Sequence, residues 1–292
     1  FQGDSSEIIV HEALKFIGCQ AAAGKPSLTV IWYGTPHSPF RAADKDKEEF
    51  ANLDANSQNH YGELVAMDRS IGALRAGLRD LNIARNTLVW FCSDNGGCAE
   101  GGMLGTYKGD PTTADSNFYC VKAWANAQDT PFRWFKHYTH EGGIGTPLIA
   151  HWPAGLPAAA RGTVTHAPGH VIDFLPTILD LAEAEYPARH NGHAITPVEG
   201  RSLVPVLRGK SRAPHDFLFL EHVGHRAVRT GDWKLVARHK QPWALYNLAE
   251  DRTELQDVAT DHPERVKELE CKGGRDNVAA LQRAFEIGNA EV

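Results

Sequence analysis

The sequence predicts an α/β fold that ends in a small antiparallel sheet, and three observations carry that expectation. Apolar, β-prone runs (SLTVIWYG from residue 27, TLVWFC from 87, TPLIAHW from 146) alternate with amphipathic helical stretches. Each run stops at glycine, proline or a small polar cluster, as buried strands do at a sheet edge. From about residue 215 the texture changes to short β-like pieces, FLFLEHV, RAVRTGDWKLVAR and ALYNL, separated by glycine and polar turns.

The elements follow in order. Residues 7–18, EIIVHEALKFIG, place Ile8, Ile9, Ala13, Phe16 and Ile17 at helical spacing and stop near Gly18. SLTVIWYG is the first strand, followed by the loop TPHSPFRAADKDKEEF. A second helix over 58–80 carries Leu64, Met67, Ile71, Leu74 and Leu78 on one face. It feeds TLVWFC, an unbroken apolar run expected to be buried on both faces of a shared, largely parallel sheet. Residues 96–130 lose all periodicity, and an insertion of that length is a candidate functional loop. TPLIAHW is the next buried strand, closed by Pro153. HVIDFLPTILDLAEA groups Val171, Phe174, Leu175, Ile178 and Leu181 on one side of a helix that contains Pro176. The expected divisions are 1–212, an α/β domain; 213–270, an antiparallel subdomain closed by the helix DHPERVKELE; and 271–292, a divergent tail.

Composition removes several function classes. The 292 residues carry 30 Lys plus Arg against 36 Asp plus Glu, a net charge of -6, so no basic surface for nucleic acid or anionic lipid is indicated. The expected partner is a small molecule. No apolar run reaches membrane-span length, and FQGDSSEIIV has neither a basic nor an apolar leader region. Five cysteines at 19, 92, 98, 120 and 271 lack CxxC spacing, which argues against a zinc cage or a complete disulfide framework.

Three strand ends carry chemistry. After TLVWFC come Ser93, Asp94, Asn95 and two glycines; adjacent carboxylate and amide oxygens suit a hard cation such as calcium or magnesium. The same residues would serve a plain Asx turn. In FKHYTHEGGIGTPLIAHWPAG, Lys136 precedes Glu141 and its glycine pair by five residues, and a lysine at a sheet edge can neutralise a tetrahedral oxyanion. A solvated surface lysine is the alternative. In TPHSPF, two prolines stiffen the loop holding His37, which suits general acid or base work, although an ordinary loop histidine would look the same. Loops leaving the strands of one sheet at the same edge are expected to bring Asp94, Lys136 and His37 to one crevice. Residue chemistry alone reaches an anion site with a hard metal.

With these stretches in order, and with MDRSIGALRAGL, EGRSLVPVLRG, GDWKLV and LYNLAEDRTELQDVA, the chain over about 7–270 resembles the sulfatases of the alkaline-phosphatase superfamily, arylsulfatase-like members in particular. The resemblance implies a large mixed sheet between helices with a C-terminal antiparallel sheet beside it. It implies that Asp94 and Asn95 are ligands of Ca2+, with Mg2+ the less favoured ion. Lys136 would grip the substrate sulfate, and His37 would stand near the leaving-group oxygen. A small-molecule or glycan sulfate ester is the implied substrate, and an exported compartment (periplasmic, extracellular or lysosomal) the implied location.

The departures have chemical weight. The family carries paired aspartates and a Cys or Ser motif, converted to formylglycine, ahead of the matched part; neither stands in this chain, whose resemblance is to a sulfatase without its N-terminal portion. Cys19, in CQAAAGK, lacks the motif's arginine. With one carboxylate and one amide, calcium would have few protein ligands, and turnover by this chain alone is not expected. A phosphodiesterase or phosphonate hydrolase of the same superfamily is the nearest rival; Asn95 argues for sulfatase, because two-metal relatives use Asp-His at that turn. A non-catalytic binding protein that kept the fold is the rival from another class.

Overall fold

The computed structural model describes residues 2–37, 40–99, 106–108, 117–119 and 122–272. Its helices and strands run α1 (Ser5–Ala22), α2 (Asp44–Lys47), α3 (Ala55–Asp80), β1 (Val89–Cys92), β2 (Thr106–Lys108), β3 (Asn117–Tyr119) and α4 (Lys122–Asp129). There follow α5 (Glu141–Ile144), β4 (Leu148–His151), α6 (Phe174–Ala182), β5 (Arg189–His190), β6 (His193–Ala194) and α7 (Val204–Leu207). The last part holds β7 (Leu218–His222), β8 (His225–Thr230), β9 (Trp233–Ala237), β10 (Ala244–Asn247) and α8 (Pro263–Lys272). The chain divides into two units, Phe1–Thr87 with Gly96–Asp129, and Leu88–Asn95 with Thr130–Val292.

In the first unit the two long helices start at carboxylate caps. Asp4 accepts from the Ser6 and Glu7 amides at 2.8 and 3.3 Å, and Asp54 from those of Asn56 and Ser57 at 3.0 and 3.1 Å. Each cap satisfies amides that the helix itself leaves without partners, worth about 1 kcal/mol. Val10 and Ile17 of α1, and Ala66 and Leu78 of α3, are buried. Arg69 on α3 ties the helices with charge: its Nε donates to Glu7 at 2.6 Å, and its two terminal nitrogens clamp Asp46 at 2.6 and 2.9 Å. The hydrogen bonds from Arg69 hold the Asp46 carboxyl below the usual range, against the opposing pull of burial.

SLTVIWYG is not a strand among the described residues. Leu28, Val30 and Trp32 are 60, 63 and 85% exposed, while Thr29, Ile31 and Tyr33 between them are half-buried. That is the two-residue period of a strand, without ladder partners among the described residues. Within 96–130 the described residues include β2 and β3, which pair antiparallel, and α4, which buries Ala125. The remainder of 100–121 and the tail beyond 272 lie outside the described residues.

In the second unit, β1 pairs with β4, and the pairing is antiparallel, Val89 opposite His151 and Cys92 opposite Leu148. This corrects the expectation of a largely parallel sheet buried on both faces. Phe91 is 39% and Ile149 58% exposed, so an unbroken apolar run here reports a strand with half-open faces. Pro176 falls in the first turn of α6, where the missing amide hydrogen costs nothing, and the helix is undisturbed.

The C-terminal sheet has the order β10-β9-β8-β7, antiparallel throughout. One face packs Val228, Leu235 and Leu245 against Leu269 of α8. The opposite face collects Ala227, Val236 and Tyr246. Lys234 lies directly across the ladder from Tyr246 and so projects on that second face, with no exposure at all.

Candidate functional site

The second unit brings two of the sequence-predicted strand ends together through its β1–β4 pairing. Because Cys92 is opposite Leu148, whatever follows β1 lies at the same end as whatever precedes β4. The Thr146 hydroxyl confirms the closeness by donating to the Ser93 carbonyl at 3.1 Å. Ser93 in turn donates to the Asn95 carbonyl at 2.8 Å, shaping the bend that carries Asp94, exposed, and Asn95, half-buried.

Ahead of Thr146 stands the loop that carries Lys136. Trp134 and His137 adopt φ of 63° and 83°, a left-handed region that disfavours both residue types. Two such conformations flanking a half-buried lysine store strain that surrounding structure must impose. Gly142 and Gly143 explain part of it: a Cβ on Gly142 would sit 2.1 Å from the Trp134 carbonyl oxygen, and one on Gly143 2.0 Å from that of Tyr138. Only glycine lets α5 fold back onto the lysine loop. Trp134 stacks on Tyr138 at 4.6 Å, closing the loop on itself.

Three polar atoms of this loop, Trp134 Nε1, Thr139 Oγ1 and His140 Nδ1, are buried without a hydrogen-bond partner among the described residues. Such groups are costly, and a stable fold keeps few. Burial pushes the His140 imidazole down to about 3, helped by the positive charges of Lys234, Arg133 and Arg238, so it is neutral at physiological pH.

A buried charge network fixes the loop to the C-terminal sheet. Lys234 Nζ donates to Glu141 Oε1 at 2.9 Å. It also lies 2.9 Å from Glu254 Oε1, an ion-pair distance at which that oxygen lacks hydrogen-bond alignment. Glu254 Oε2 accepts from the Glu141 amide at 2.7 Å, and Arg133 donates to the Tyr246 hydroxyl at 3.0 Å and the Glu254 carbonyl at 2.8 Å. Burial raises Glu141, but Lys234 with Arg229 and Arg252 outweighs it and holds that carboxyl low. For Glu254 burial prevails over Lys234, and its carboxyl is raised. The sequence signal for this network is Lys234 itself, which interrupts an otherwise apolar strand, WKLVA.

His37 lies in the first unit, exposed, in a loop held on both sides. Before it, the Tyr33 hydroxyl pairs with Ser70 at 3.0 Å; after it, buried Phe40 meets His60 edge-on at 4.8 Å. The Arg41 amide donates to Glu63 at 2.6 Å and that of Ala42 to Asn59 at 3.0 Å. Glu63 Oε2 has no partner among the described residues, and burial pushes its carboxyl up to about 7.

As metal donors, Asp94 and Asn95 have the right chemistry, hard oxygens, but are two where calcium takes six to eight. Among the described residues no group of three or more His, Cys, Asp or Glu is arranged to hold a metal. These two residues would hold one side of a hard cation. Cys19, Cys92 and Cys271 are free thiols.

The sequence model of the sulfatase family matches residues 1–184. The chain belongs to the sulfatase family. A second model, that of the N-sulphoglucosamine sulphohydrolase C-terminal region, matches residues 131–272 of this sulfatase-family chain. An uncharacterised sulfatase of Schizosaccharomyces pombe is 31% identical over 255 residues, 77% of this chain and 43% of that protein. The N-acetylgalactosamine-6-sulfatase of Canis lupus familiaris is 29% identical, over 80% of this chain and 38% of its own length. The chain therefore spans about two fifths of these curated relatives. Among solved structures, Ps i-CgsB matches with a TM-score of 0.71 at 25% identity, over 91% of this chain and 53% of that one; it has also been solved in complex with k-i-k-neocarrahexaose. A Bacteroides thetaiotaomicron structure from work on glycosaminoglycan metabolism matches with a TM-score of 0.70 at 20% identity, over 96% and 55%, a likeness of fold. No helix among the described residues is long and apolar enough to cross a membrane.

Proposed function

We propose that this chain supplies part of the active site of a sulfuric ester hydrolase, with Lys136 binding the sulfate group of the substrate. The observation that supports the proposal is the shared end of the β1–β4 pair, where the bend of Asp94 and Asn95 follows β1 and the segment that leads from the Lys136 loop enters β4, tied by the Thr146–Ser93 hydrogen bond. An ammonium there, on a loop locked by Lys234, Glu141 and Glu254, offers a fixed point charge to a tetrahedral anion. Fixed charge is what stabilises the extra negative charge that gathers on the sulfate oxygens as the ester bond breaks.

Asp94 and Asn95 hold Ca2+ in this proposal, which would polarise the sulfate when bound. By the same family resemblance, His37 would give a proton to the leaving-group oxygen. The nucleophile is formylglycine by family resemblance, and its motif is not among the residues given, so the chain purified by itself is expected to show no turnover of aryl sulfates above background. An exported compartment goes with the same resemblance.

The test compares 4-nitrophenyl sulfate with bis(4-nitrophenyl) phosphate as substrates of a full-length sulfatase carrying this sequence. Preference for the sulfate ester, abolished by a calcium chelator, is expected. A preference for the phosphodiester would place the chain with the phosphohydrolases of the superfamily, and activity toward neither would leave a binding role.

A further inference from the structure

Helix α3 buries Asn59, Gly62, Glu63, Ala66, Ser70 and Leu78, of which only Ala66 and Leu78 carry apolar side chains. Asn59, Glu63, Ala66 and Ser70 follow one another at helical spacing, so the buried stripe of this helix is polar at three positions of four. A buried polar group costs stability unless it is bonded. All three of these find partners in the segment 33–42, which carries His37.

Ser70 holds the incoming flank. Its hydroxyl donates to the Met67 carbonyl at 2.7 Å, which commits its one hydrogen, so across the 3.0 Å contact it is the Tyr33 hydroxyl that donates. From α1 the buried Ser6 hydroxyl donates to Thr35 Oγ1 at 3.3 Å. Glu63 and Asn59 hold the outgoing flank: Glu63 Oε1 accepts from the Arg41 amide at 2.6 Å, and Asn59 Oδ1 from the Ala42 amide at 3.0 Å. Asn59 is oriented in turn by donating to the Ala55 carbonyl at 2.8 Å. The segment lies so close to the helix that a Cβ on Gly62 would stand 2.6 Å from that of Ala42. His37 stands between the two flanks, its amide closing a turn onto the Gly34 carbonyl at 2.9 Å.

Apolar side chains could fill this stripe without any polar cost. What the polar ones add is direction, because each bond is made in one geometry.

We propose that the Asn59–Glu63–Ser70 stripe of α3 is a positioning device for His37 in sulfate ester hydrolysis. The inference rests on the reading of His37 as the residue that gives a proton to the leaving-group oxygen. As the S–O bond breaks, its electron pair passes to that oxygen, which needs the proton more the poorer the leaving group. A displaced His37 therefore shows as a loss of rate that depends on the leaving group.

The experiment measures kcat/KM of a full-length sulfatase carrying this sequence toward 4-nitrophenyl sulfate and toward phenyl sulfate, which has the poorer leaving group. Glu63→Met keeps the bulk and removes the acceptor for the Arg41 amide, whereas Glu63→Gln keeps the acceptor. The expected result is a loss of about tenfold or more toward phenyl sulfate in His37→Ala and in Glu63→Met, with 4-nitrophenyl sulfate held within about threefold and Glu63→Gln close to wild type toward both. In the His37→Ala background Glu63→Met should add less than about twofold, because the side chain it acts through is gone. Equal losses toward the two esters in Glu63→Met, its full loss persisting in the His37→Ala background, or wild-type efficiency in Glu63→Met each overturns the positioning role. Asn59→Ala, which removes the acceptor for the Ala42 amide, takes the same test should Glu63→Met not fold. If His37→Ala lowers both esters alike, the proton-donor reading itself falls, and the inference with it.

Discussion

Lys234 and Glu141 form a 2.9 Å ion pair in which the side chains are 0 and 4% exposed. The pair crosses from the C-terminal sheet to the turn behind the lysine loop, and Glu254 supplies the second carboxylate around the same ammonium. A buried charge deprived of its partners is worth far more as a penalty than the intact pair is worth as a gain. The network therefore acts as a geometric lock on the loop of Lys136.

Lys234→Met leaves Glu141 and Glu254 facing each other without a cation. The expected loss is about 3–5 kcal/mol of stability, read from the urea denaturation midpoint of the chain. Glu254→Gln keeps the shape and removes the carboxyl that burial already disfavours, so its loss is smaller. A Lys234→Met midpoint within about 1 kcal/mol of wild type would show that the lock carries no weight.

Gly143→Ala tests the other constraint on the same loop. The added methyl meets the Tyr138 carbonyl oxygen at 2.0 Å and the Phe135 carbonyl oxygen at 2.7 Å, so the backbone around Lys136 has to move. In a full-length sulfatase carrying this sequence, kcat/KM toward an aryl sulfate should fall about tenfold or more, since displacement of a positioned charge by about 1 Å is costly. Wild-type efficiency in Gly143→Ala would contradict the close packing.

His140 and Glu63, one in each unit, contribute to stability with opposite dependence on pH. His140 stays neutral in the fold down to about 3, while the unfolded chain takes its proton near 6.5; stability near it is full above 6.5 and falls as pH drops, by about 2 kcal/mol at pH 5. Glu63 keeps its proton to about 7 against 4.5 unfolded, so its contribution is full below 4.5 and is lost as pH rises to 7. Amide hydrogen exchange at pH 5 and pH 8 should show residues 133–145 better protected at the higher pH. Residues 59–66 should be better protected at the lower one. Glu63→Gln and His140→Gln each remove the corresponding slope; slopes unchanged in these variants would refute the assignment.

Much of this was legible in the sequence because it is local. The period of Leu64, Met67, Leu74 and Leu78 marked α3, and the glycine-spaced alternation after 215 marked the four-stranded sheet. The bend of Asp94 directly after β1 was legible for the same reason. Pairing direction was not, because TLVWFC reads alike in either orientation, and what sets β1 against β4 is the chain between them. SLTVIWYG has strand chemistry, yet a strand also needs neighbours, and its ladder partners are not among the described residues. The Lys234 network joins residues 93 positions apart, a separation that no local pattern encodes.

The grip of Lys136 on sulfate is tested most directly by kcat/KM toward 4-nitrophenyl sulfate in a full-length sulfatase carrying this sequence. Wild type is compared with Lys136→Ala, Lys136→Arg and, as control, Lys122→Ala, an exposed lysine at the start of α4. Loss of a charge-assisted contact that strengthens in the transition state costs on the order of 2–4 kcal/mol, or about a hundredfold or more in rate. Lys136→Arg should recover only part of it, because a planar guanidinium fork does not reproduce a compact ammonium. The expected result is that loss in Lys136→Ala beside an unchanged Lys122→Ala. Both variants within about threefold of wild type would limit the contact to about half a kilocalorie and contradict the role given to Lys136.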